Sequence, residues 1–182
     1  MRKIIVGEFI SLDGVVEAPE QWHMQYVSPE MFSIMWALSD TCDTTLLGRV
    51  TYEGFAAAFA DAPANDPIAA KMNKNARVVV SRTLESLEWE NSTVLEGDLE
   101  EGVAALKAAE GRDILTTGST SLVQALLRAG LVDELHLLIH PVTVGHGRRL
   151  FDQEAPLTFT LDEATVLPNG VIHAVYRHVT QG

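Results

Sequence analysis

Cysteine is nearly absent from this 182-residue chain, because Cys42 is the only one. A disulfide within the chain needs two cysteines and a cysteine metal cluster needs more, so the sequence excludes both. Long apolar runs are also missing, and no segment approaches the roughly twenty uninterrupted apolar residues of a membrane-spanning helix. The first apolar segment is interrupted by Glu8 and Asp13, which argues against a signal peptide. We therefore expect a cytoplasmic protein with no membrane partner.

Basic residues are scarce: 13 lysines and arginines stand against 25 aspartates and glutamates, which gives a formal net charge of −12. A field of that sign repels phosphate backbones, so we predict no nucleic-acid partner. The hydrophobic share of 47% and the charged share of 21% are ordinary for a globular protein, and the length suits one domain. We expect residues 1–182 to form a single domain that binds a small molecule.

Strand patterns alternate with helix patterns through about residue 140, and the chain then closes with a hairpin at Asn169-Gly170. Capping residues such as Ser28 and Asp98 indicate helix starts. The pattern predicts an α/β fold, with a mostly parallel central sheet, helices on both faces and an antiparallel C-terminal hairpin. Strands are predicted at 3–10, 43–48, 77–81, 92–97, 114–118, 134–144, 157–167 and 170–178, and helices at 28–39, 50–59, 66–74, 98–110 and 119–130.

Glycines, hydroxyl residues and arginines directly follow three of the predicted strands. The segments are LGRVT at 47–51, VSRT at 80–83 and TTGSTS at 116–121. In an open α/β sheet the ligand binds at the carboxyl ends of the strands, and a helix start there suits a phosphate. Each segment alone is also compatible with a capped turn. Because Arg49 and Arg82 both stand at such strand ends, a dinucleotide phosphate explains the pattern, although no Gly-x-Gly-x-x-Gly motif follows the first strand.

Three segments together resemble the dihydrofolate reductase-like superfamily: SLDG at 11–14, LLGRVTYE at 46–53 and VVVSRTL at 78–84. The stretch 114–151 is similar to the reductase domain of the bacterial riboflavin-biosynthesis deaminase/reductase, most specifically from Gly130 to Phe151. The similarity runs in order over nearly the whole chain and implies a three-layer sandwich fold. It also implies a stand-alone reductase that uses NADPH.

The resemblance assigns the cofactor-binding residues in three groups. The first group would hold the phosphates, with Arg49 near the adenosine end, the second would recognise the 2′-phosphate, and the third would wrap the pyrophosphate. These groups are Gly48, Arg49 and Thr51; Ser81, Arg82 and Thr83; and Gly118, Ser119, Thr120, Ser121 and Leu122.

The substrate half of the site is expected in the loop after the first strand. We predict Asp13 as the catalytic residue that orients the substrate or relays a proton, with a turn role as the alternative, and we expect Gly14, Trp22 and Tyr52 to contact the substrate. Trp22 lies beside His23 and Tyr26, and this group could equally be structural. Met24, Met31, Met35 and Trp36 are interpreted as core filling.

Two departures from the known members concern the substrate. The acid with which folate reductases bind the pterin falls near Phe32 in this chain, with Glu30 close by. The glutamate that riboflavin reductases usually carry before a glycine pair is replaced by Thr117, and Ser119 replaces the second glycine. We expect hydride transfer to a pyrimidine-like, pterin-like or ribosylamine substrate. A general NADPH-dependent reductase of small electrophiles and a non-catalytic nucleotide-binding protein remain the alternatives.

Two further expectations concern the strand at 134–144. His136 and His140 alternate onto one face of the strand with no evident third ligand, so we predict no metal site. The strand is unusually apolar and has few charges to protect an exposed edge. We therefore predict a homodimer that pairs through this part of the sheet.

Overall fold

The computed structural model describes residues 1–63, 65–84, 86–151 and 156–179. Its strands are β1 (Ile4–Ser11), β2 (Cys42–Gly48), β3 (Ala76–Val80), β4 (Ser92–Val94), β5 (Asp113–Thr116), β6 (Glu134–His140), β7 (Phe159–Val166) and β8 (Ile172–His178). Its α-helices are α1 (Pro29–Thr41), α2 (Arg49–Phe59), α3 (Pro67–Lys74), α4 (Leu99–Ala108) and α5 (Thr120–Arg128). Two short 3-10 turns, Pro19–Gln21 and Met24–Tyr26, precede α1.

The strands form one eight-stranded sheet in the order β4-β3-β2-β5-β1-β6-β8-β7. Pairing is parallel from β4 to β6 and antiparallel along β6-β8-β7. The predicted mostly parallel sheet with an antiparallel C-terminal hairpin is therefore confirmed. The carboxyl ends of the parallel strands lie at one end of the sheet, where α/β proteins place their ligands.

Helices cover the two faces of the sheet, which makes three layers. Alternate residues of β1 point to opposite faces: Val6 packs in a cluster with α4 and α5, whereas Ile5 packs against α1. A third cluster joins Leu47 and Val79 to side chains of α2 and α3. Met31 is a buried residue of α1, as predicted, whereas Met24 is 63% exposed and does not belong to the core.

The position of β6 contradicts the prediction that a homodimer pairs through this strand. This strand ends at His140 and is hydrogen-bonded to β1 on one side and to β8 on the other. Its apolar character reflects burial inside the sheet, so no edge of β6 is exposed for pairing with a second copy. The edge strand at this end of the described sheet is β7, which is largely exposed. No helix in the described residues is long and apolar enough to cross a membrane.

Candidate functional site

A cavity of about 840 Å³ opens at the carboxyl ends of β2, β3 and β5, and we call it the polar cleft. The structure brings all three predicted phosphate-binding segments to this one cavity. All eleven residues that the resemblance assigned to cofactor binding are in its lining: Gly48, Arg49, Thr51, Ser81, Arg82, Thr83, Gly118, Ser119, Thr120, Ser121 and Leu122.

Two helices begin at the polar cleft without a side-chain cap. Ser28, Asp66 and Asp98 cap α1, α3 and α4 by accepting hydrogen bonds from backbone N–H groups. In contrast, α2 begins after Gly48 and α5 begins after Ser119 with no side chain bonded to the first turn. The free N–H groups and the positive end of the helix dipole suit an anion. The two uncapped starts are therefore suited to the phosphates of a nucleotide.

A small hydrogen-bonded unit holds these two helix starts together. The Ser119 hydroxyl accepts the Gly48 N–H at 2.9 Å and donates to the Thr51 hydroxyl at 2.7 Å. A Cβ atom added at Gly48 would lie only 2.4 Å from Ser119 Oγ. Position 48 therefore requires glycine, because any side chain would separate α2 from α5.

Two of the arginines that line the polar cleft, Arg49 and Arg82, are weakly engaged. Arg49 pairs with Glu53 at 3.0 Å, but both side chains are nearly half exposed, and exposed pairs of this kind contribute only about 0.3–0.5 kcal/mol. Arg82 is exposed and forms no ion pair with the described residues. The turn that carries it is held by the Ser81 hydroxyl, which accepts the N–H groups of Thr83 and Leu84. Both guanidinium groups can therefore bind a ligand phosphate.

Glu8 is a buried acid in the polar cleft, and sequence reasoning missed it. It lies in the middle of β1 with 5% of its surface exposed, and its Oε1 accepts the Gly118 N–H at 3.1 Å. Burial raises the pKa of the Glu8 carboxyl to about 8, and the Gly118 hydrogen bond offsets this only in part. The group therefore holds a proton at neutral pH. A glutamate inside an otherwise apolar central strand was the available signal, because such residues are almost never buried without a reason.

A second cavity of about 200 Å³ lies between α1 and the sheet, and we call it the apolar pocket. Its walls are mainly aromatic and aliphatic side chains: Met31, Phe32, Met35, Trp36, Leu47 and Trp89. Phe9, Phe55 and Thr117 line both cavities, so the apolar pocket and the polar cleft meet at these residues. The interpretation of Trp36 as core filling was wrong, because Trp36 lines this pocket and is 41% exposed. Met35 also lines the pocket, but it packs against the buried cluster of Met31 and Leu138.

Asp13 is placed differently from the prediction that it lines the substrate pocket. Its carboxylate accepts the Ser11 hydroxyl and the N–H groups of Val144 and Gly145. These bonds hold the pKa of Asp13 well below its usual range, so the group carries no proton to give near neutral pH. Asp13 and Gly14 line neither cavity. Gly14 also pairs with Leu150, so the loop after β1 fastens the 144–150 segment.

Trp22 and Tyr52 also lie outside the two cavities. The indole N–H of Trp22 donates to the Glu17 carbonyl, and the ring packs edge-on against His140. Tyr52 is 3% exposed, and its hydroxyl accepts the N–H of Trp89 beneath α2. Both side chains support neighbours of the site, Trp22 through His140 and Tyr52 through Trp89, and their substrate contacts stay predictions.

The histidines of β6 make pairwise contacts. His136 and His140 share a face of the strand, and His136 Nδ1 lies 3.1 Å from His173 Nε2. Burial lowers the pKa of His136, His140 and His173, so these rings are neutral near pH 7. Within the described ranges, no three His, Cys, Asp or Glu side chains are grouped so that they could hold a metal ion.

Comparison with known proteins gives a family match over most of the chain. Residues 2–173 match the family model described as the RibD C-terminal domain. The uncharacterised Bacillus subtilis protein YyaP is 30% identical over 185 residues, which cover 96% of this chain and 94% of that protein.

Two solved structures are similar in fold. A Shewanella sp. PV-4 protein, named as a candidate riboflavin biosynthesis protein, has a TM-score of 0.76 and 21% identity and covers 99% of this chain and 100% of its own. The dihydrofolate reductase of Enterococcus faecalis, solved with NADP(H), has a TM-score of 0.63 and 17% identity, with coverage of 97% and 96%. At these identities the likeness shows the fold alone, and it confirms the predicted dihydrofolate reductase-like architecture.

Proposed function

The chain belongs to the RibD C-terminal domain family, and from this membership and the two adjacent cavities we propose that it is an NADPH-dependent reductase of a small molecule. One observation carries the proposal. Three phosphate-suited segments line one polar cleft, and Phe9, Phe55 and Thr117 line both that cleft and the apolar pocket, so the two cavities are adjacent. A dinucleotide and a substrate bound in the two cavities would meet at these residues.

The polar cleft fits a dinucleotide phosphate on three grounds. The starts of α2 and α5 are uncapped, Gly48 lets them approach each other, and Arg49 and Arg82 are available to a phosphate. We propose that Arg82, with Ser81 and Thr83, binds the 2′-phosphate that distinguishes NADPH from NADH. The planar guanidinium fork matches a phosphate in charge and geometry.

The apolar pocket would hold the substrate, and the bound dihydronicotinamide would supply the hydride. Reduction then also requires a proton, and we assign its delivery to Glu8. Glu8 is the buried carboxyl of the polar cleft, whereas Glu17 and Glu20 in the same lining are exposed. A carboxyl with a pKa near neutral can both hold and release a proton, which is the condition for a general acid.

Calorimetric titration with NADPH and NADH tests the cofactor assignment. A charged hydrogen bond contributes roughly 1.5–3 kcal/mol, so Arg82→Ala should weaken NADPH binding about 10- to 150-fold and change NADH binding little. Arg112→Ala is the matched control, since this exposed arginine precedes β5 at the opposite end of the sheet. Equal losses for both cofactors would remove the 2′-phosphate assignment. Tight NADPH binding without turnover of any substrate would favour the non-catalytic alternative.

A further inference from the structure

The walls of the apolar pocket are flat and aromatic. Phe32 and Trp36 lie on consecutive turns of α1 with ring centroids 5.7 Å apart, and Phe9 faces the same space from β1. Phe55 and Trp89 line it from the side of α2. Aromatic walls of this kind favour a planar ligand, because stacked or edge-on ring contacts add to the burial of apolar surface.

The charged groups of the pocket lining are already engaged. Lys71 pairs with Asp40 at 2.6 Å. Arg77 is 2% exposed, donates to the Met72 and Glu90 carbonyls and the Ser92 hydroxyl, and lies over the Trp89 ring at 4.1 Å. His23 also lines the pocket, and burial lowers its pKa, so the ring is neutral near pH 7. No aspartate or glutamate occurs in this lining among the described residues.

These features disfavour two ligand chemistries in the pocket. A phosphorylated sugar would bring a multiply charged group into a lining of mainly aromatic and aliphatic side chains, where Arg77 is buried and committed and only Lys71, paired with Asp40, is partly exposed. An aminopyrimidine edge would find no carboxylate, because Phe32 and not an acid faces the pocket from α1, and Glu30 is exposed and outside the lining. An unpaired charge or polar edge in such a site is strongly unfavourable.

Three hydroxyl groups are uncommitted in the pocket, and so is the neutral imidazole of His23, whose buried Nδ1 has no hydrogen-bond partner among the described residues. The side chains of Ser39, Thr45 and Thr117 line it, and none of them has a side-chain hydrogen bond with another described residue. A hydroxyl is a neutral donor that suits a carbonyl oxygen. Thr117 stands at the junction with the polar cleft, so it would hold the carbonyl of a substrate near the point of hydride transfer.

We infer that the substrate of the proposed reductase is an uncharged, planar conjugated ketone in which a carbon–carbon double bond adjoins the carbonyl. This inference rests on the proposed function. A C–H bond of the dihydronicotinamide breaks as its hydride forms a C–H bond at the β-carbon of the enone, and the π pair of the carbon–carbon double bond moves toward the carbonyl oxygen. One proton, whose delivery is assigned to Glu8, then forms a C–H bond at the α-carbon and gives the saturated ketone. The substrate is reduced by two electrons and NADPH is oxidised to NADP⁺ by two; the carbon–carbon σ bond stays intact.

A matched pair of probes tests this substrate class: 4-phenyl-3-buten-2-one and the same molecule with a carboxylate at the para position of its ring. Binding is measured by quenching of tryptophan fluorescence, since Trp36 and Trp89 line the pocket. We expect the neutral ketone to bind at least tenfold more tightly than the carboxylate. Trp22→Phe should keep the quenching signal and Trp36→Phe should reduce it. Equal or tighter binding of the carboxylate would overturn the inference.

The substitution Phe32→Asp supplies a second test. Phe32 is 40% exposed on α1, so the helix should tolerate the change. A new carboxylate in the apolar pocket should weaken neutral ketone binding at least tenfold, while Thr45→Val should weaken it only a few-fold by removing one hydroxyl. An unchanged affinity in Phe32→Asp would show that the ketone binds elsewhere.

The two levels of the proposal fail separately. Fluorescence reports on the pocket without the cofactor, and calorimetry reports NADPH binding without the ketone. Binding of NADPH together with absent ketone binding or absent formation of the saturated ketone would reject the substrate class and leave the cofactor proposal standing. Ketone binding without NADPH binding would reject the proposed function itself.

Discussion

Glu8 is a carboxyl group buried inside a central strand, and this environment changes its pKa strongly. Its carboxyl ordinarily has a pKa of 4.5, and burial in β1 raises it to about 8. Between these two pH values the folded chain holds a proton that the unfolded chain has released. The free energy of unfolding therefore decreases as pH rises from about 4.5 to 8, because stability falls where the folded state binds more protons.

The substitution Glu8→Gln should remove this pH dependence. Gln keeps the shape and can still accept the Gly118 N–H, but it does not titrate. We expect the melting temperature of the variant to exceed that of the wild type by a margin that grows between pH 5 and pH 8. The buried histidines titrate in both proteins, so the difference between the two curves isolates Glu8. A constant difference across this range would contradict a raised pKa of Glu8.

In turnover the same substitution should slow reduction, because it removes the proposed proton donor. General acids commonly contribute about 10²- to 10⁴-fold, so we expect a loss of that order in kcat with NADPH affinity changed little. The wild-type rate should also fall above about pH 8, where Glu8 deprotonates. Stopped-flow measurement of NADPH oxidation across pH 6–10 would detect both effects. A Glu8→Gln profile with the same alkaline decline would assign the proton transfer to another group.

The starts of α2 and α5 are the elements that make the polar cleft. Gly48→Ala would place a Cβ atom 2.4 Å from Ser119 Oγ and 2.9 Å from its Cβ. We expect the two helix starts to separate, NADPH affinity to fall at least tenfold and the melting temperature to drop by several degrees. Gly54→Ala is the control for the melting temperature within the same helix, since a Cβ there meets no protein atom within 4 Å; because Gly54 also lines the polar cleft, the control does not extend to NADPH affinity. It should stabilise α2 slightly, because alanine favours helix more than glycine does.

The side chains of helix α1 determine how well the apolar pocket can bind the pterin ring of a folate. It presents Phe32 to the apolar pocket, and its first-turn acid Glu30 is exposed. Without a carboxylate the pterin edge stays unpaired, at a cost of about 1–3 kcal/mol for each polar group. We expect dihydrofolate reduction at least roughly 10³-fold slower in kcat/KM than in a dedicated folate enzyme. Steady-state rates at saturating NADPH decide this, and a value near 10⁶ M⁻¹s⁻¹, roughly mid-range for enzymes, would show that an acid reaches the pocket.

Sequence reasoning predicted that the three strand-end segments meet in one cavity, and it missed the apolar pocket, for one physical reason. Segments 47–51, 80–83 and 116–121 each follow a strand directly, so parallel pairing alone brings them to one end of the sheet. The apolar pocket is built from α1, α2 and the sheet, which are distant in sequence. Side-chain orientation there depends on packing, and Phe32, Trp36 and Phe55 cannot be told from core residues by pattern. Asp13 was assigned by its motif, but its carboxylate is used by the loop.

At the scale of the whole molecule, the sheet is unevenly covered. Helices pack on both faces from β4 to β6, whereas β7 is largely exposed. Cross-strand register places Leu161, Val166 and Ile172 on one face, with exposures of 52%, 76% and 39%. Phe151, which precedes β7 in the chain, is 45% exposed, and its ring contacts the ring of Phe159 at the start of β7. A contiguous group of exposed apolar side chains is typical of a protein–protein interface.

We therefore predict that the homodimer forms through the β7–β8 face and not through β6. A stable interface buries roughly 800 Å² on each partner, and a charge at its centre should be poorly tolerated. Val166→Glu should convert a dimer of twice 19.9 kDa into a monomer, as measured by light scattering at micromolar concentration. Val94→Glu is the matched control, because Val94 is 37% exposed on β4, at the opposite edge of the sheet. It should leave the dimer intact. A monomeric wild-type protein would contradict the predicted dimer. Dissociation by Val94→Glu and not by Val166→Glu would contradict the β7–β8 interface, since the uncovered end of the sheet would then have no part in association.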